Sequence, residues 1–160
     1  MKRIVKRIIL VVAVLLVVIQ FFRPQRNEAA GLSPGDIATK YPVPAPVLQL
    51  LQRSCYDCHS NNTRYPWYNN IQPVAWILND HIQEGKRELN FSEFAAYTPK
   101  KAAHKLDEVM AEVGEHEMPI SSYTAMHSDA KLSEEEIRLI SNWADALGDS
   151  IRTVNHLPMQ

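Results

Sequence analysis

The sequence predicts an all-α fold, and three observations carry that expectation. Four segments repeat apolar residues at helical spacing, start and stop residues bracket them, and nothing after residue 23 alternates convincingly as a strand. With 160 residues, 46% of them hydrophobic, the chain is long enough for one domain with a true core and too short to expect two.

The amino-terminal stretch "MKRIVKRIILVVAVLLVVIQFFR" sets Lys2, Arg3, Lys6 and Arg7 before an apolar run over residues 8–22 that only Gln20 interrupts. A basic head followed by an apolar stretch is the pattern of an export signal. The run is short of the roughly 20 residues a spanning helix needs, but Lys6, Arg7 and Arg23 can snorkel. No A-x-A cleavage site follows, since a cut after Ala30 would have Glu28 at its third position. Residues 1–23 therefore read as an uncleaved membrane-anchor helix with its basic end in the cytoplasm of a bacterium and the rest of the chain on the periplasmic side. No cysteine at the end of the run marks a lipoprotein.

Residues 24–44 hold Pro24, Pro34, Pro42 and Pro44 with two glycines and no sustained period, the composition of an extended tether. The segment that follows the anchor is acidic: residues 1–23 carry five of the 17 basic residues, which leaves 12 against 18 acidic ones, a net charge of −6. That balance argues against nucleic acid as a partner, because duplex binding needs a basic face.

Helical patterning begins at residue 45 and defines a domain over residues 45–150, with residues 151–160 as a tail. Val47, Leu50, Leu51, Ser54, Cys55 and Cys58 fall on one face of the first helix. The second, "QPVAWILNDHIQEG", opens with Pro73 at its first position and ends near Gly85, with Val74, Ile77, Leu78, His81 and Ile82 as its stripe. Thr98 caps the third, Ala102, Leu106, Val109, Met110 and Val113 form its stripe, and Gly114 stops it. The fourth starts on a capping box of Ser133 and Glu136, buries Ile137, Ile140, Trp143, Ala144 and Leu147, and stops at Gly148.

The connections "SNNTRYPWYNNI" and "EHEMPISSYTAMHSDAK" are polar and long for a compact helical domain, which points to a ligand they wrap. The two cysteines of the chain lie in "CYDCH", residues 55–59. Their spacing would close only a tiny disulfide loop, no H-x₃₋₅-H pair completes a zinc site, and no βαβ context supports a thioredoxin-like motif. CxxCH is the attachment signature of c-type haem: two thiols three apart reach the two vinyl groups of one porphyrin edge, and the next imidazole reaches the iron. The expectation is one covalent haem c on Cys55 and Cys58, with His59 as the proximal iron ligand.

The sixth ligand is sought among His81, His104, His116, His127, His156, Met110, Met118, Met126 and Met159. Met118 is preferred, because it sits in a loop and Pro119 holds it extended. Met110, on a helix stripe, reads as core filler and His104 as solvated; His81, on an apolar stripe, is the main competitor. Arg64, Trp67 and Tyr68 follow the motif closely and are candidates for hydrogen bonds to haem propionates, against the plainer reading of "RYPWY" as a turn whose aromatics pack.

The segments "CYDCHSNNTRYPWYNNIQPVAWILNDHIQEGKRELNFSEF" and "HEMPISSYTAMHSDAKLSEEEIRLISNWADAL" resemble the haem-binding domain family of small exported bacterial proteins related to c-type cytochromes. The resemblance covers about residues 45–148, through CxxCH, "MPxxxY" and the "LSxxE…W" helix. It implies a cytochrome c-like helical domain wrapped around one covalent haem, with iron between His59 and Met118. The long segment between the helices, with "YPWY" and "NDHIQEGKRELNFSEF", departs from ordinary small cytochromes c.

Two functions of different class follow. In the first the protein is an electron carrier and not an enzyme, a membrane-anchored cytochrome serving redox partner proteins at the membrane. The alternative is a haem-based sensor, or a small-ligand-binding or peroxidase-like protein, whose sixth iron ligand is labile and beside which His81 or His116 would act.

Overall fold

The computed structural model describes residues 1–29, 31 and 33–159, so the cleavage position after Ala30 lies outside the described residues. Eight α-helices follow in order: α1 (Lys2–Ile19), α2 (Ile37–Lys40), α3 (Ala45–Ser54), α4 (Tyr56–His59), α5 (Val74–Glu88), α6 (Pro99–Gly114), α7 (Ser121–Met126) and α8 (Glu134–Val154). Short 3₁₀ turns at Trp67–Asn70, Phe91–Ala96 and Ser128–Ala130 fill the connections. The described residues form no strand, only an isolated bridge between Glu28 and Asn62. The all-α expectation holds.

The spanning anchor expected at the amino terminus is not found: among the described residues no helix is long and apolar enough to cross a membrane. The four basic residues occupy the first two turns of α1 and the helix closes at Ile19, so its uncharged part, residues 8–19, is only about 18 Å long against about 30 Å of hydrocarbon. None of the residues of α1 is buried against the domain.

The core lies where α6 and α8 pack along each other and α3 closes one side. Leu106 and Val113 of α6, Ile140, Ala144 and Leu147 of α8, and Val47 and Leu51 of α3 meet there, with Phe91 and Phe94 of the 3₁₀ turn buried beside them. The predicted caps form: the Thr98 hydroxyl accepts from the Lys101 amide, and the Ser133–Glu136 box is complete. Trp143 is buried as expected and donates from its indole N–H to the Pro42 carbonyl at 3.2 Å.

Two glycines expected to stop helices do not. α8 runs on to Val154, because Gly148 sits in the α6–α8 contact: a Cβ there would meet Arg152 Nη1 at 3.1 Å and Leu106 Cβ at 3.8 Å. Arg152, buried one turn later, bridges to Asp107 of α6 and to Asp149 at 3.3 Å. The expected tail thus begins as helix. α5 likewise passes Gly85 to Glu88, and it buries Ala75 and Ile82 and leaves Val74 and Ile77 exposed, so its buried face is turned away from the predicted stripe.

Residues 24–44 are not a free tether. Asp36 caps α2 by accepting from the Ala38 amide at 3.0 Å, and Ile37 is fully buried in the core, worth about 2 kcal/mol. Upstream, the buried Asn27 amide donates to Ser60 O at 2.8 Å and to Thr63 Oγ1 at 2.9 Å, while its Oδ1 accepts from Lys86. A Pro-rich stretch has little period of its own, but its polar caps and one isoleucine are enough to strap it across the domain.

Candidate haem-binding site

The expected continuous helix through both cysteines is broken at Cys55, whose backbone (φ −122°, ψ −40°) separates α3 from the single turn α4. The turn is held by Cys55 O, which accepts from the amides of Cys58 (3.2 Å) and His59 (2.9 Å). At about 100° per residue, Cys55, Cys58 and His59 share one side of such a turn and Asp57 faces the opposite side. Asp57 is buried there. Its Oδ1 accepts from the Arg64 amide and Nε, both at 3.1 Å, and its Oδ2 from Tyr123 Oη at 2.7 Å; Thr63 Oγ1 donates to its carbonyl at 2.6 Å. The motif is clamped from behind by four groups.

In front of it lies a cleft of two adjoining compartments, about 310 Å³ and about 250 Å³, which share Cys55, His59, Glu88, Met118 and Pro119. Leu89, Phe91, Val109 and Val113 line the larger one, and Cys58, His81, Gly85, Ile120 and Tyr123 the smaller. Gly85 explains why α5 continues: a Cβ at this position would stand 3.0 Å from Cys58 O and 3.1 Å from Cys58 Cβ, so glycine lets α5 lie directly on the motif. Met118 reaches the cleft from the loop after α6, where its amide and that of Glu117 both donate to Glu112 O at 3.0 Å.

His59 carries the most specific chemistry. Its Nδ1 lies 3.0 Å from Leu89 O, and because a carbonyl only accepts, Nδ1 bears the proton. Burial holds the imidazole below its ordinary pKa, which favours the neutral ring whose Nε2 keeps its lone pair. That is the orientation and tautomer of a metal-ligating histidine fixed by a backbone carbonyl. The cysteines are free; burial raises Cys55 to about 12 and Cys58 to about 11, so both are protonated thiols in the haem-free chain.

The other predicted residues are dispersed. Arg64 is committed to Asp57 and to Arg53 O, and it lines neither compartment. Trp67 is exposed, and Tyr68 Oη pairs with His127 Nε2 at 2.7 Å; neither lines the cleft. The cations beside the cleft's carboxylates are Lys105, bridged to Glu88 at 3.8 Å and to Glu108, and Arg87, bridged to Glu84 at 3.7 Å and to Glu88 at 4.0 Å. Of the sixth-ligand alternatives, His81 lines the smaller compartment, Met110 packs on the core, and His104 and His116 are exposed beside Glu108 and Glu134. The sequence does not single out Asp57 or the Leu89 carbonyl, it offers Gly85 only as a helix stop, and Tyr123 enters only as the last residue of "MPxxxY". The one signal for Gly85 was a glycine three residues beyond a helix stripe, which reads equally well as a stop.

Compared with known families, residues 14–146 match the haem-binding domain. The chain belongs to the haem-binding domain family. Searches of curated proteins and of solved structures find no match. Haem is thus the cofactor the family brings, and the cleft fits it: apolar walls suit a porphyrin face, His59 offers a neutral Nε2, and Met118 adds a soft thioether to the same space.

Proposed function

We propose that this haem-binding domain protein is a monohaem c-type cytochrome that carries electrons. In this reading Cys55 and Cys58 would hold the haem through thioethers, His59 Nε2 and the Met118 sulfur would ligate its iron, and the haem would supply a one-electron couple. The observation that carries the reading is the His59 Nδ1–Leu89 O hydrogen bond, which leaves a single nitrogen for iron inside a cleft also lined by both cysteines and Met118. The protein's own part is to keep that site rigid. α5 backs Cys58 through Gly85, the Asp57 clamp fixes the turn, and the carbonyl fixes the ring, so the ligands need not move when the iron changes charge.

For localisation we adopt the exported side of the bacterial cytoplasmic membrane. The support is the basic head of α1 and its wholly unburied apolar surface, which also bring the cytochrome close to redox partners at the membrane. A second reading rests on one observation: His81 and Tyr123 line the compartment that reaches Cys58, where acid and base groups of a ligand-sensing or peroxidase-like site would stand.

Absorption spectra of the full chain matured with haem test both. A low-spin ferric spectrum with a weak far-red sulfur band, abolished in Met118→Ala, supports the carrier. Ready carbon monoxide binding by the native ferrous protein favours the second reading. Haem released by acidified organic solvent overturns covalent attachment.

A further inference from the structure

Large apolar side chains stand exposed along one stretch of the domain. Trp67 is 73% exposed, Ile71 47% and Ile77 55%, with Val74 and Trp76 beside them. They come from the 3₁₀ turn Trp67–Asn70 and the start of α5, and this is also where α1 joins the domain. Gln20 Oε1 accepts from the Gln72 amide at 2.9 Å, Gln20 Nε2 donates to Gln72 O at 3.2 Å, and the indole of Trp76 donates to Phe22 O at 2.8 Å. Phe21 and Phe22, themselves exposed, link the end of α1 to this face.

From this continuity we propose that the Trp67–Ile77 face is a membrane-contact surface, seated at the headgroup level of the bilayer that receives α1. The inference rests on the membrane reading above and deepens it. α1 is apolar on every side after Arg7, the pattern of a helix surrounded by apolar material, and none of its residues is buried against the domain. A surface hydrogen-bonded to the end of such a helix is carried to the lipid surface with it. Its chemistry suits that depth: Trp concentrates at the interface, and Arg23 follows Phe21 and Phe22 in the chain. Polarity along α5 runs the same way. Exposed Val74, Trp76 and Ile77 give way to exposed Asp80, Gln83, Glu84 and Arg87, so the helix is apolar at its α1 end and charged from its second turn on. Such a gradient fits insertion of one helix end into the outer few ångströms of a lipid surface.

The three tryptophans supply the test. Full-length ferrous holoprotein carrying 5-fluorotryptophan is placed in nanodiscs of phosphatidylcholine and phosphatidylglycerol, with Trp→Phe variants assigning the fluorine resonances. A lipid bearing a doxyl group near its headgroup end should broaden Trp67 and Trp76 several-fold and leave buried Trp143 unchanged. If the chain co-elutes with the discs but Trp67 stays as narrow as Trp143, α1 alone anchors and the proposal fails. If Trp67 and Trp76 shift only when a disc carries more than one copy and are indifferent to the doxyl lipid, a second copy covers the face and the proposal fails. A chain that does not co-elute with lipid at all overturns the membrane reading itself.

Discussion

Replacing Gly85 by alanine isolates the contact that sets α5 against the CxxCH turn. Two effects oppose each other. Alanine in a helix interior is worth about 1 kcal/mol over glycine, whereas a methyl forced into a filled space costs about 1–3 kcal/mol. Here the added Cβ would meet Cys58 O at 3.0 Å, Cys58 C at 3.3 Å and Cys58 Cβ at 3.1 Å. Mostly backbone, and held by the Asp57 clamp on its far side, these atoms cannot swing away as a side-chain tip would, so the steric cost wins. The net expectation is a loss of about 1 kcal/mol, or about 2–4 °C in Tm for a chain of this size. Gly114 is the matched control: nothing lies within 4 Å of its would-be Cβ, so Gly114→Ala should raise Tm by a similar amount. Thermal melts of the holoprotein followed by far-UV circular dichroism give both numbers, and haem stain per mole of protein shows whether displacement of Cys58 also lowers attachment. Should Gly85→Ala stabilise as much as Gly114→Ala with full haem content, glycine at 85 is not there for close approach.

Further expectations follow from polar contacts. Asp57→Ala removes the acceptor of Arg64 and Tyr123 and should cost about 2 kcal/mol in urea melts, while a change below about 0.5 kcal/mol would remove the clamp from the argument. Arg152→Ala leaves Asp107 without its buried partner and should cost about 3 kcal/mol; the double variant Arg152→Met with Asp107→Leu should return to within about 1 kcal/mol of the parent, measured the same way. Glu136 is held below its ordinary pKa first by the Ser133 amide in the capping box, and Arg53 lies 2.9 Å from it. A carboxylate whose pKa falls on folding stabilises above its unfolded pKa and loses that contribution as pH drops through the folded one. The stability gap between the parent and Glu136→Gln should therefore be full at neutral pH and close in acid below pH 4.5, and a gap independent of pH would refute the charged capping box.

Helix faces were readable wherever burial alone selects residues. Leu106, Val109 and Val113 on α6 and Ile137, Ile140 and Leu147 on α8 lie where their spacing puts them. Glycines misled because one residue serves two purposes: Gly114 does end its helix, while Gly85 and Gly148 permit close approach, and only the neighbouring chain distinguishes them. The Pro-rich stretch hid Ile37, since one isoleucine has no periodicity. Ligand chemistry singles out Cys55, Cys58, His59 and Met118 in the sequence, and all four line the cleft. Arg64 was chosen for its charge and its place after the motif, but Asp57 claims that charge first. What orients His59 is a backbone carbonyl, and a carbonyl has no letter of its own.

The strap formed by residues 24–44 also imposes an order in time. Its Pro42 carbonyl waits for the Trp143 indole, 101 positions later in the chain. On the exported reading, the strap and the CxxCH turn emerge from the translocation channel long before α8 arrives to complete the core. For that interval Cys55 and Cys58 stand beside a core that lacks its longest helix. Closure of α8 on the strap ends the interval, so the core that carries α3, and with it the start of the CxxCH turn, is the last part of the fold to be completed.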